Sequence, residues 1–78
     1  MRFWGDAVRM PRPDEFIVKV VRSDGYCWEE YGTYPTRAEA MEAIDRMDRS
    51  RLGSIGVQPH CKEAGPFQTH AMQVVWEA

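Results

Sequence analysis

Four side chains in this sequence have the chemistry of metal ligands: Cys27, His60, Cys61 and His70. Two thiolates and two imidazoles make a tetrahedral zinc set. Their spacing fits no zinc-finger pattern, and His60 and Cys61, as chain neighbours, would project to opposite faces of a strand. A hairpin between residues 57–61 and 67–76 would bring His60 towards His70, with Cys27 arriving from a neighbouring strand. The same residues can be written as a nucleophile and base, Cys27 or Cys61 with His60 or His70, and Glu29 as the orienting acid. That chemistry needs all three groups held in one pocket. A single small sheet with one helix offers little concave volume for a substrate. Gly53-Ser54-Ile55-Gly56 is no phosphate loop either, because it follows a helix and has no Lys-Ser/Thr pair after it. The expectation is a protein that is not an enzyme and that uses no cofactor or metal.

The aromatic residues carry a different chemistry, that of recognition. The chain has three Trp, three Tyr and three Phe. Some of these rings fill the core of a small β-rich domain. Others belong to a candidate binding surface. Tyr26 and Trp28 share one strand face, Tyr31 lies on the other, and Lys19, Glu29 and Glu30 surround them. Buried aromatic anchors with a polar rim are the composition of a protein-binding hot spot. Trp28 and Tyr31 are the expected anchors, and Asp14, Glu15, Glu29 and Glu30 would present carboxylates to a basic partner cleft. Arg46, Arg49 and Arg51 read as a solvated helix end paired with Glu42, Asp45 and Asp48.

The elements that must position these residues are legible in sequence order. Residues 1–13 read as an arm or short edge strand, because Met10-Pro11-Arg12-Pro13 cannot continue a helix or a central strand. Glu15–Arg22 is a β-branched, aromatic strand. Ser23-Asp24-Gly25 is the turn, with Gly25 supplying a positive φ, and Tyr26–Tyr31 returns antiparallel. A bulge at Gly25 would set Val20 against Trp28 and Lys19 against Glu29, whereas a two-residue turn would set Lys19 against Glu30. Thr36 and Glu39 form a capping box, and Pro35 keeps Tyr34 extended. The helix is expected from about Arg37 to Leu52, with Ala40, Met41, Ile44, Met47 and Leu52 as its apolar stripe and Gly53 as its C′ residue.

Beyond Gly53, Ile55–Gln58 reads as a short strand, placed at an edge by Pro59. Lys62–Pro66 is a turn cluster. Phe67–Trp76 is the last strand, with Met72, Val74 and Trp76 on one face and Ala71, Gln73 and Val75 on the other. The fold class is therefore α+β, in ββαββ order after the arm. An antiparallel sheet of three to four strands carries one helix on one face.

Composition narrows the function further. Seventy-eight residues make one domain, which buries only about 60% of its unfolded surface. The net charge of −2 lacks the basic excess expected of a duplex binder. No apolar run reaches the ~20 residues of a membrane span. Asp6 and Arg9 interrupt any signal-peptide core, so a cytoplasmic address is expected. Two cysteines are too few for a disulfide framework.

The joint Gly32-Thr33-Tyr34-Pro35-Thr36-Arg37-Ala38-Glu39-Ala40-Met41-Glu42-Ala43-Ile44 resembles the strand-to-helix joint of many small domains. These include phage proteins and the three-stranded, arm-binding DNA modules of integrases. In size, architecture and composition the whole chain is similar to small phage-encoded anti-CRISPR proteins. That resemblance implies an inhibitor of a larger host complex, such as a CRISPR-Cas effector, acting in the host cytoplasm by occupying a nucleic-acid or subunit-binding surface. The alternative expectation is a small nucleic-acid-binding domain that uses its sheet face. Homodimerisation through the edge of Gln73-Val74-Val75-Trp76 is compatible with either.

Overall fold

The computed structural model describes residues 12–63 and 70–78. The arm expected at 1–13 and the first part of the strand expected from Phe67 fall largely outside the described residues. Five elements follow in order: β1 (Glu15–Arg22), β2 (Glu29–Tyr34), α1 (Arg37–Arg46), β3 (Leu52–His60) and β4 (Gln73–Glu77). The strands form one antiparallel sheet in the spatial order β2-β1-β3-β4. The protein is thus an α+β domain in ββαββ order.

The core follows from the period of two along β1 and β3. Val18 lies opposite Val57 and Val20 opposite Ile55, so one face of the two central strands is branched aliphatic. Helix α1 lays Ala40 and Ile44 on that face, and all six side chains are buried. Phe16, Tyr34, Met41, Met47, Leu52, Val75 and Trp76 close its margin. The helix starts at Thr36, whose hydroxyl oxygen accepts the Glu39 N–H at 3.2 Å. The Glu39 carboxylate in turn accepts the Thr36 hydroxyl proton at 3.2 Å.

Several expectations are corrected. The helix ends at Arg46, with Met47 as its C-cap, not at Leu52. Beyond Met47 the next stripe positions are 48 and 51, which are Asp48 and Arg51, so the stripe lapses there. Asp48 then accepts the Ser50 N–H at 3.0 Å, a local turn that competes with helical bonding. Leu52 and Gly53 belong to β3, and Gly53 caps nothing.

The hairpin also differs. No described glycine has a positive φ, although Gly25 donates its N–H to the Arg22 carbonyl at 3.0 Å. A two-residue hairpin turn needs a positive φ to match the right-handed twist of the strands, whereas longer loops are built around an ordinary turn. The chain therefore spends residues 26–28 on its return, and pairing resumes at Glu29, with Lys19 opposite Glu30, as in the second of the two expected registers, and Val20 opposite Glu29. A register shift between Val18 and Lys19 leaves Tyr31 as an extra residue in β2.

β3 is a central strand, not an edge. Pro59 pairs with Phe16 of β1 but lies beyond the stretch 54–57 that faces β4, so no β4 rung is lost to it. In β4 the expected alternation breaks. Gly56 pairs with Val74 and Ile55 with Trp76, leaving Val75 over. Both Val75 and Trp76 pack against the core, as a bulge permits.

Candidate binding surface

The seven residues expected to form one partner surface are distributed over three places. Tyr26 and Trp28 sit on the loop between β1 and β2, with Tyr26 97% and Trp28 38% exposed. Glu29, at the foot of that loop, is 3.3 Å from Arg22 Nε. Glu30 follows it and accepts the Thr33 hydroxyl proton at 3.3 Å. These four residues remain neighbours because the loop returns directly into β2.

Tyr31 is elsewhere. As the extra residue of the β2 bulge, it lines a groove between β2 and α1 with Tyr34, Glu39, Glu42, Ala43 and Arg46. The groove holds about 410 Å³. Glu42 and Arg46, one helical turn apart, form an ion pair at 2.7 Å. Tyr34 is held in the groove wall by Gly32. A Cβ at Gly32 would stand 2.9 Å from the Tyr34 phenol oxygen and 3.3 Å from its ring carbons. The sequence assigns Glu39 to the cap and Glu42 to a helix ion pair, and neither role points to this groove. The Gly32-x-Tyr34 spacing was the available signal, because residues i and i+2 share a strand face.

Asp14 and Glu15 lie at the other end of β1. Five strand steps, roughly 16 Å, separate Glu15 from Val20, the partner of Glu29. Both carboxylates are engaged locally. Asp14 accepts the Lys62 N–H at 3.3 Å, and Glu15 meets His60 Nδ1 at 2.5 Å and Lys62 Nζ at 3.8 Å. Glu15, with its side chain only 14% exposed, ties the start of β1 to the end of β3.

The candidate zinc set is separated in the same way. Cys27 is exposed on the hairpin loop, while His60 is the last residue of β3 and half-buried Cys61 follows it at the far end. His70 does approach β3, its carbonyl accepting the Gln58 amide at 2.9 Å. Among the described residues no group of three or more His, Cys, Asp or Glu is placed to hold a metal ion. Nor is any described helix long and apolar enough to cross a membrane. The arginines beyond α1 are also dispersed. Arg49 stands 5.6 Å from the centre of the Trp76 ring, and Arg51 lines a cleft of about 450 Å³ with Arg22, Ser23, Asp24 and Leu52.

Comparison with protein-family models, with curated proteins and with solved structures finds no match for this chain.

Proposed function

We propose that this protein is a small non-enzymatic binding protein that inhibits or modulates a larger host complex. The observation that carries the reading is the β1–β2 loop, which holds Tyr26 almost wholly in solvent and Trp28 partly so. A domain this small has every use for aromatic area in its core. Two rings left outside it gain their value only when a partner covers them. In its most concrete form the proposal is an anti-CRISPR protein: the loop and the adjoining Glu29 and Glu30 occupy a nucleic-acid or subunit-binding surface of the effector. Carboxylates beside such anchors favour a basic partner surface and fast, salt-sensitive association.

The test compares the wild-type protein with a Tyr26→Ala/Trp28→Ala variant of unchanged fold. Each is immobilised for capture from host lysate, then added to the captured complex or to a reconstituted CRISPR-Cas effector cutting its DNA target. Wild type is expected to retain the complex and lower its activity, and the variant to do neither. Equal capture by both proteins would end the reading.

One observation favours a second reading, nucleic-acid binding. Arg22 and Arg51 line a cleft with Ser23 and Asp24, the first residues of the loop that carries the two exposed rings. Base stacking with phosphate contact would use that pairing. Asp24 in the cleft and the Glu29–Arg22 ion pair work against it. A gel shift with a single-stranded oligonucleotide at low salt, abolished by Arg22→Gln/Arg51→Gln, is the result this reading requires.

A further inference from the structure

We infer that the groove between β2 and α1 receives an arginine side chain from a short, extended, basic segment of the partner, which lies along the outer edge of β2. The inference rests on the binding-protein reading and assigns a partner chemistry to a second part of its surface. β2 stands at the end of the sheet order β2-β1-β3-β4. Among the described residues its outer N–H and C=O groups therefore have no strand partner, which is the template for an added strand.

Charge decides what kind of strand. The residues of β2 are Glu-Glu-Tyr-Gly-Thr-Tyr, with two carboxylates and no basic side chain. Glu39 and Glu42 of α1 line the groove beside it. The opposite edge differs: β4 has the single carboxylate of Glu77, and two arginines flank it, Arg37 donating to Gln73, its first residue, at 2.6 Å and Arg49 covering Trp76. A basic segment is thus directed to β2 and away from β4. Opposite charges across paired strands are favourable, and like charges are not.

The groove then selects arginine. Its walls combine two phenol rings, Tyr31 and Tyr34, with the carboxylates of Glu39 and Glu42. A guanidinium stacks on aromatic faces while its fork of donors bonds carboxylate oxygens, which an ammonium cannot do in both directions. Among the described residues, Glu42 already pairs with Arg46, whereas Glu39 accepts the neutral Thr36 hydroxyl and has no cationic partner. Glu39 is therefore the carboxylate whose charge remains to be matched. The bulge aims Tyr31 into the groove, and by interrupting the ladder it also limits the added segment to a few residues.

The probe is the blocked tetrapeptide acetyl-Arg-Val-Arg-Val-amide, with acetyl-Glu-Val-Glu-Val-amide as its control, titrated into the isotope-labelled full chain and followed by NMR. The arginine peptide is expected to move the backbone amides of residues 29–34 and 39–46 and the Tyr31 and Tyr34 ring protons. The acidic peptide is expected to move none of them. Glu39→Gln/Glu42→Gln, which keeps side-chain shape, should weaken the arginine peptide about tenfold. Tyr31→Ala should weaken it by a similar factor without altering the spectrum of the core. Equal affinity in all three proteins, or shifts confined to β4 or scattered over the surface, would overturn the inference. If that happens while Tyr26→Ala/Trp28→Ala still abolishes capture of the complex, the binding-protein reading stands without this groove. If the peptide binds as expected and capture is unaffected by the loop variant, the groove stands and the loop reading falls.

Discussion

Tyr34 lies back over Gly32, its phenol oxygen 2.9 Å from the point where a Gly32 side chain would begin. The two residues share one face of β2, so the missing side chain of the first makes the bed for the ring of the second. Glycine is a weak strand residue, and here an aromatic neighbour covers it. Gly32→Ala would gain about 0.4–1 kcal/mol by restricting the unfolded chain. It would also force the ring off its site, at about 1–3 kcal/mol. We expect a net loss of about 1 kcal/mol in urea unfolding. The loss should be smaller in a Tyr34→Phe background, where the nearest atom is gone. Equal losses in both backgrounds would show that the contact does not set the cost.

The Thr36 cap yields a second expectation. Its side chain is the acceptor for the Glu39 N–H, and α1 has only ten residues, too few to be stable outside the tertiary structure. Thr36→Ala should cost about 1 kcal/mol of stability, and Thr36→Ser or Thr36→Asp should restore most of it. Denaturant midpoints for the three variants provide the check. Loss of the same amount in Thr36→Ser would point to the methyl group's packing and away from the cap.

These two sites show what was legible in the chain. The Thr36–Glu39 pair and the β-branched residues Ile17, Val18, Val20 and Val21 of β1 are local signals, and both elements stand where those signals put them. The end of α1 was also written locally, in Asp48 and Arg51 at the next stripe positions, but the isolated Leu52 outweighed them. The bulges at Tyr31 and Val75 were not legible. Each depends on which residue of a second strand lies opposite, and a shift of one position moves a side chain to the other face. The dispersal of the candidate surface has the same origin. Tyr31, expected on the strand face opposite Tyr26 and Trp28, is the extra residue of a bulge and lines the groove, and Glu15 was claimed by His60, a residue 45 positions away in sequence.

Asp48 makes stability depend on pH in a defined direction. The Ser50 backbone N–H, and then the Ser50 side chain, hold its carboxyl below the usual carboxylate range. A carboxyl with a lowered folded pKa binds its proton more weakly in the folded than in the unfolded chain. Its contribution is present above the unfolded value, about 3.9, and disappears as pH falls through the folded value. Asp48→Asn keeps the turn geometry and removes the charge. The stability difference between wild type and Asp48→Asn should therefore be constant near neutrality and shrink on acidification below about pH 4. A difference that grew on acidification would contradict the assignment.

The cysteines should behave as two independent thiols. Cys27 lies on the loop that follows β1, while Cys61 follows His60, which pairs with Glu15 at the beginning of β1. The length of β1 therefore stands between them, roughly 23 Å for seven strand steps. A disulfide needs Cα atoms within about 7 Å. Mild oxidation should give no intramolecular bridge, and any covalent dimer formed should vanish in Cys27→Ser. Exposed Cys27 should also react with iodoacetamide before half-buried Cys61, with the order read by peptide mass mapping under native conditions. An intramolecular 27–61 bridge formed without unfolding would require β1 to leave the sheet, because both cysteines are positioned by its opposite ends.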